Sequence, residues 1–405
     1  MKKYLNVFLI LIFNYTFVSP QTNQIFIKGI SPDNNVPIQI YFQNGVIQKI
    51  DTIEFSDVKE KYFIAPGLID IQINGYLGVD FTGPNLNPNE IKNVVNALYK
   101  DGITSFLPTI ITSDNARIIE NFKVLNEALK NHEVSRSIPG FHLEGPFISP
   151  LKGFRGAHLE KYIQKPDWDV FLKYQNAADN RIKLVTVAPE ISGAVDFIKK
   201  LSENNITVAL GHHNGNAEQI EAAVNAGAVL STHLGNGCAN EIDRHNNPIW
   251  PQLSNDKLNI SIIADGYHLT KDEVRTFYKV KGKEKTILIS DELDLAGLEP
   301  GEYIRGERKV LLTENVIKFP EEDVLAGAAS SIKKGIENMI KFTGCTLSDA
   351  VKLATENPAE LLKLNSIGKI EVGKRANIIL FDFIDGKLVI QKTFVDGELV
   401  FDKKL

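Results

Sequence analysis

The sequence is poor in the features that assign a chain quickly. Its 405 residues include two cysteines, Cys238 and Cys345, with no Cys-x-x-Cys spacing. That excludes a disulfide framework and a cysteine-built zinc site, and both thiols are expected to be free and buried. No block of like charge, internal repeat or low-complexity tract occurs. The 45 basic and 50 acidic residues give a net charge of −5, so no nucleic-acid surface is expected. No compact metal motif such as H-E-x-x-H is present. The apolar run Val7–Phe13 near the start is too short, and too closely flanked by Asn6 and Asn14, for a membrane span.

That short run carries information of its own. Lys2 and Lys3 precede it, and polar Gln21-Thr-Asn-Gln24 follows. A basic region before a short apolar core describes a secretory signal peptide. Residues 1–20 are therefore expected to direct export to a periplasm, leaving no stable membrane span after removal. A start site placed too early would instead leave a cytoplasmic protein.

The remainder has an ordinary globular composition, 43% hydrophobic and 23% charged. Short β-rich runs alternate with helical patterns, as in parallel βα units. Eight strands are predicted: Ala65–Asn74, Ile103–Thr109, Ile138–Glu144, Ile182–Ala188, Ile206–His212, Ala228–His233, Ile260–Asp265 and Thr286–Asp291. Amphipathic helices are predicted between them, at Asn89–Tyr99, Ala116–Leu129, Ala194–Glu203, Ala217–Asn225 and Lys271–Val280. The fold class is α/β, and eight such units match a (β/α)8 TIM barrel over residues 65–363. Residues 21–64 and 364–405 are β-rich, with turn signals at Asp33-Asn-Asn35, Gln43-Asn-Gly45 and Asp385-Gly386. They are expected to form a small β-sandwich from both chain ends, with Ala65-Pro-Gly67 as the crossover.

In such barrels the C-terminal strand ends build the active site. Here six strands end in polar residues: Gln72 and Asn74, Glu144, His212, His233, Asp265, and Asp291. Any one of them alone is an ordinary loop residue; packing of Val, Ile and Leu strands does not call for all six at one end. Glu144, His212 and His233 offer one carboxylate and two imidazoles, a common catalytic donor set for a divalent ion. His213 is expected to point away, because neighbouring strand residues alternate faces. Asp291 follows the apolar run Ile287-Leu-Ile-Ser290, and an ionised Asp there can move a proton from water to a leaving amine. The plainer alternative is a helix N-cap, with Glu292 and Asp294 as surface acids.

At these residues the chain resembles the amidohydrolase superfamily, and within it the N-acetylglucosamine-6-phosphate deacetylases. The motifs that carry the resemblance are Ala65-Pro-Gly-Leu-Ile-Asp-Ile-Gln-Ile-Asn-Gly75, His142-Leu-Glu-Gly-Pro146, Thr186-Val-Ala-Pro-Glu190, Ile263-Ala-Asp-Gly-Tyr-His268, Leu325-Ala-Gly327 and Ile367–Ile378. The resemblance implies metal binding by Glu144, His212 and His233, with Asp291 as acid/base. It implies that His158 donates to the acetamide oxygen as negative charge develops there. It also implies substrate contacts at Ala157, Asn236, Gly237, Arg244, Asp265, His268, Leu325, Ala326 and Gly327, and a homodimer. Gln72-Ile-Asn74 replaces the H-x-H that holds a second metal in many relatives, so one ion per chain is expected. Zinc is the first expectation, with iron and manganese as alternatives.

The implied reaction is hydrolysis of the acetamide of N-acetylglucosamine-6-phosphate, or a close relative, to acetate and the amino sugar. Three substrate-side stretches depart from the family pattern: Gly235–Pro248, Glu292–Gly297 and Leu325–Ser330. With the signal-like start, they leave a second reading open, an exported amidohydrolase acting on an unphosphorylated N-acyl sugar, an N-acyl amino acid or a cyclic amide. A non-catalytic scaffold would have lost at least one of Glu144, His212, His233 and Asp291, and all four are present.

Overall fold

The computed structural model describes residues 25–305, 308–321 and 324–405. The expected signal peptide at 1–20 lies outside the described residues. No helix among them is long and apolar enough to cross a membrane.

Eight parallel strands form one sheet in sequence order: Leu68–Ile73, Ile103–Ile111, Phe141–Glu144, Ile182–Val187, Thr207–Leu210, Ala228–Ser231, Asn259–Ile262 and Thr286–Leu288. Inward-facing apolar residues from seven of these strands or their ends, among them Ile71, Leu107, Leu184, Ala209, Leu230, Ile263 and Ile287, meet in one buried cluster. Each such Ile or Leu side chain contributes about 1.5–3 kcal/mol by leaving water, so the barrel interior below the mouth is a packed core. The helices Pro88–Leu98, Asn115–Ala128, Ala194–Glu203, Ala217–Ala226 and Lys271–Lys285 surround it. All lie within a few residues of the predicted segments except the last, which runs five residues further.

Two strand boundaries differ from the expected ones. Ala65–Asn74 is two strands: Phe63–Pro66 belongs to the terminal sheet, and the barrel strand starts at Leu68. The expected domain boundary at 64/65 thus falls inside a strand. Ile138–Glu144 begins only at Phe141.

The barrel closes between its first and last strands by an unusual seam. Thr286–Leu288 stops short of the mouth, and irregular backbone completes the pairing. Asp291 N–H donates to Gln72 O at 3.1 Å, and Asn74 N–H to Glu292 O at 2.8 Å. Beneath them the fully buried Asp70 carboxylate accepts from Gln72 N–H and Ser290 N–H, each at 3.1 Å.

Both chain ends build one seven-stranded sheet, with Ile25–Ile30, Pro37–Gln43, Val46–Thr52 and Phe63–Pro66 from one end, and Ile378–Ile384, Lys387–Val395 and Glu398–Asp402 from the other. The small β-domain expected from both chain ends is present, its seven strands joined edge to edge with Ile30 and Phe63 as the single pair linking Ile25–Ile30 to Phe63–Pro66. Its own core packs Ile40, Phe42, Ile64, Ile378 and Phe394 together. The predicted turns are real: Asn44, Gly45, Asp385 and Gly386 all have positive φ, as tight hairpins of this hand require.

A four-stranded antiparallel sheet, additional to the expected elements, is inserted after the last barrel strand, Gly301–Arg305, Arg308–Leu312, Val316–Phe319 and Val324–Ala328. It is fastened by Arg305, whose Nη2 lies 2.9 Å from Asp80 Oδ2 and whose Nε lies 2.8 Å from Asp294 Oδ1. Glu292 and Asp294, surface acids in the plainer alternative for Asp291, are both buried. Removing one member of this largely buried ion cluster strands the others. Arg305→Ala is therefore expected to lower unfolding free energy by about 3–5 kcal/mol, measured by urea denaturation; a change below about 1 kcal/mol, the range of an exposed pair, would show the cluster to be solvent-screened.

Candidate active site

Strand alternation alone would not deliver the two metal histidines. Ala209 and Leu230 face the barrel interior, so a strict period of two would turn His212 and His233 outward. Both residues instead have left-handed backbone, with φ of 51° and 31°, and Asp291 joins them at 56°. Such conformations cost about 1–3 kcal/mol each outside glycine and cluster at functional sites. Here they swing three polar side chains into the barrel mouth.

Glu144, His212 and His233 converge there with ligating atoms all within 4.8 Å of one another, each residue buried. Glu144 Oε1 lies 2.9 Å from His233 Nε2 and 3.3 Å from His212 Nε2, and the two Nε2 atoms are 3.1 Å apart. His212 Nδ1–H donates to Phe154 O at 3.1 Å, which leaves the Nε2 lone pair facing the centre. Such outer partners fix the tautomer of metal-ligating histidines. Burial alone would raise the Glu144 carboxyl, but the two imidazoles packed against it hold it well below the usual carboxylate range. Two neutral-capable imidazoles and one anion, converging in a buried mouth, fit a divalent ion. Gly156 and Gly237, both with positive φ, press against the His212 ring; a Cβ at either would lie within 3 Å of it.

Asp291 stands beside this cluster. Its Oδ1 accepts from Asn74 Nδ2 at 2.7 Å and from Gln72 Nε2 at 3.0 Å, and the same Gln72 Nε2 donates to Glu144 Oε1 at 2.9 Å. The two first-strand amides thus present N–H groups to carboxylates, an arrangement that uses them as clamps. Burial and the Glu144 charge raise the Asp291 carboxyl above its ordinary range, which makes it a stronger base.

His158 lies on the opposite side, its ring edge-on to His212 with centroids 4.3 Å apart. Its Nε2 is 4.0 Å from Glu144 Oε2, and its Nδ1 is 2.7 Å from Thr112 Oγ1. Burial, aided by His212, pushes its pKa well down, so it is neutral. His213 points elsewhere, by the left-handed turn at His212 and not by strand alternation, with Nδ1 accepting from Gly215 N–H at 3.1 Å.

The other expected contacts divide into two groups. Gly237 touches His212, as above; Asn236 carries a buried, unpartnered Nδ2 one residue earlier. Ala157 adjoins His158, its carbonyl accepting from Arg308 at 2.7 Å. Leu325, Ala326 and Gly327 lie on the last inserted strand, where Ala328 N–H donates to Asp291 O at 3.0 Å. His268 Nδ1 donates to Asp265 Oδ2 at 2.7 Å, and this bond outweighs burial to hold the Asp265 carboxyl below its ordinary range. Its Oδ1 accepts from the backbone N–H groups of Tyr267 and His268, so both carboxylate oxygens are engaged. Arg244 is the exception. It is exposed on the turn that Asp243 organises, with its carbonyl accepting from Trp250 Nε1 at 2.9 Å, and the structure does not bring it into the buried cluster. Cys238 and Cys345 are free but only partly buried.

A parallel barrel with one acid and two histidines converging at its mouth, beside a clamped aspartate, defines a metal-dependent hydrolase site. The amidohydrolase family model matches residues 63–400. The chain belongs to that family, in its N-acetylglucosamine-6-phosphate deacetylase group. It is 30% identical over 370 residues to the N-acetylglucosamine-6-phosphate deacetylase of Bacillus subtilis (strain 168), covering 88% of this chain and 91% of that one. It is 26% identical over 363 residues to the N-acetylgalactosamine-6-phosphate deacetylase of Escherichia coli O157:H7, covering 89% and 94%. The crystal structure of the N-acetylglucosamine-6-phosphate deacetylase of Thermotoga maritima superposes with a TM-score of 0.82 at 27% identity, covering 94% of this chain and all of that one.

Proposed function

We propose that the protein hydrolyses the acetamide of N-acetylglucosamine-6-phosphate, or a closely related N-acetyl amino sugar phosphate, to acetate and the free amine. The observation that carries this reading is the clamped Asp291 beside the Glu144, His212 and His233 donors. Those three residues would hold one divalent ion, zinc before iron or manganese. When bound, the ion activates water and polarises the scissile carbonyl. Asp291 accepts the proton of the attacking water and returns it to the departing nitrogen, so that no free amide anion has to leave. Gln72 and Asn74 hold the carboxylate in place through both transfers. His158, neutral and in reach of the same mouth, donates its Nε2–H to the carbonyl oxygen as charge develops there. His268, steadied by Asp265, offers its remaining ring nitrogen to a polar group of the sugar.

Arg244 is assigned to the phosphate. Its exposure on the turn after His233 supports a role in a homodimer, where it would reach a neighbouring subunit's site, and guanidinium geometry suits bidentate phosphate contact. Export through residues 1–20 remains part of this reading, supported by Lys2, Lys3 and the short apolar run that follows.

Acetate release tests it, using N-acetylglucosamine-6-phosphate, its galactosamine epimer and unphosphorylated N-acetylglucosamine. The phosphorylated glucosamine is expected to be preferred. Arg244→Ala should raise its KM roughly 10- to 100-fold, the worth of a charge-assisted contact, and leave the unphosphorylated sugar unaffected. Equal turnover with and without phosphate, indifferent to the substitution, would refute phosphate recognition; no acetate from any of the three would refute the deacetylase reading.

A further inference from the structure

We propose that Thr112 is a positioning residue: its hydroxyl donates to His158 Nδ1 and so holds the ring as the tautomer with its proton on Nε2, facing the site. The inference rests on the reading above, in which His158 is the donor to the carbonyl oxygen.

A neutral imidazole has one N–H and one lone pair, and which nitrogen carries the proton is set by the partners of each. His158 Nδ1 faces Thr112 Oγ1 at 2.7 Å. His158 Nε2 faces Glu144 Oε2 at 4.0 Å. Two assignments are open. With the proton on Nδ1, the hydroxyl accepts, and the Nε2 lone pair confronts an anionic carboxylate in a buried site where repulsion is weakly screened. With the proton on Nε2, the hydroxyl donates to Nδ1, and the ring N–H faces that carboxylate with favourable polarity. The second arrangement is consistent at both nitrogens. Packing against His212 fixes the plane of the ring but does not distinguish its two nitrogens. Thr112 does, because among the described residues its hydroxyl has no other hydrogen-bond partner.

The hydroxyl is itself held firmly. Thr112 directly follows the strand Ile103–Ile111 and is only 5% exposed. A β-branched side chain has few χ1 choices. Its Oγ1 lies against the backbone of Gly145, where a Cβ would come within 2.3 Å of it. Gly145, with φ of 84°, immediately follows the metal donor Glu144. One threonine thus joins the ends of the second and third barrel strands to the loop that bears His158. A donor fixed in advance needs no reorientation when the carbonyl oxygen gains charge, which is where electrostatic catalysis gains most.

Two substitutions separate this role from packing. Thr112→Val keeps the shape and removes the hydroxyl; Thr112→Ser keeps the hydroxyl. With metal-loaded full-length enzyme and N-acetylglucosamine-6-phosphate, Thr112→Val is expected to lower kcat about 10- to 100-fold, a fraction of what a lost oxyanion donor costs, with KM little changed. Thr112→Ser should recover most of that loss. In the zinc-loaded parent, ¹⁵N NMR of labelled histidine should show His158 protonated at Nε2, and in Thr112→Val a mixture of tautomers. An unchanged kcat in Thr112→Val, equal losses in Val and Ser, or an Nδ1-protonated His158 in the parent would each overturn the proposal. Should Thr112→Val not fold, the parent tautomer decides alone. His158→Gln separates the two levels of inference: if it leaves kcat intact, the role given to His158 fails; if it slows turnover and Thr112→Val does not, only the role of Thr112 fails.

Discussion

Asp291→Asn is expected to fold, to bind metal as the parent does, and to lose about two to four orders of magnitude in kcat, the usual contribution of a general acid/base. The substitution changes one oxygen to an NH2 and removes the proton acceptor. It also constrains the orientation of the new side chain. Asp291 Oδ1 accepts from both Asn74 and Gln72, and an amide that turned its NH2 toward them would meet two donors. The amide oxygen of the substituted side chain is therefore expected to take the place of Oδ1, preserving the backbone turn while abolishing base function. KM should move little, since the residue acts on water and the leaving nitrogen. Metal content and melting temperature are the controls. Near-parental kcat with unchanged metal content would remove Asp291 from its assigned role and return it to the plainer one of shaping the turn.

Removal of the ion should have an effect of comparable size. Dialysis against a chelator is expected to abolish acetate release, and readdition of a stoichiometric divalent ion to restore it. Elemental analysis of the purified protein should give one ion per chain, because the Gln72 and Asn74 amides donate to carboxylates. Two ions per chain would contradict that use of the first strand. The chelated protein should remain folded, since the barrel and terminal-sheet cores do not depend on the site. Its melting temperature should nevertheless fall. A ligand that binds only the native state, present at about a thousand times its Kd, stabilises by about 4 kcal/mol. Its loss also leaves the left-handed backbone at His212 and His233 without the coordination that offsets it.

The parts of this site that could be read from the sequence share one property. Glu144, His212, His233 and Asp291 each end an apolar run, and in a parallel barrel the end of a run is a place in space. The signal is positional and survives without knowledge of contacts. What the sequence did not disclose is backbone direction: hydrophobic periodicity is blind to the positive φ that turns His212 and His233 inward. The same blindness runs Ala65 and Pro66, the end of the terminal-sheet strand Phe63–Pro66, into the first barrel strand, because an extended chain passing from one sheet to another keeps the same β-rich composition. The inserted sheet was legible in principle, in the alternation of Gly301–Arg305 and the turn at Thr313-Glu-Asn-Val316. Arg305 and Thr112 were not. Their partners Asp80 and His158 lie far along the chain, and a buried arginine or threonine looks no different in sequence from an exposed one.

The seam between the first and last barrel strands gives Asp291 a second dependence. One of the two amides that close the barrel is its own, so parting the two strands also parts the carboxylate from Gln72 and Asn74. The same seam is clasped from outside. Phe63–Pro66, which leads into the first barrel strand, pairs with Ile378–Ile384, which follows the last barrel helices, and Gly67 N–H donates to Asn377 O at 2.9 Å. The terminal sheet, remote from the chemistry, therefore works as a buckle on the one joint where the hoop is open, and the catalytic aspartate sits at that joint.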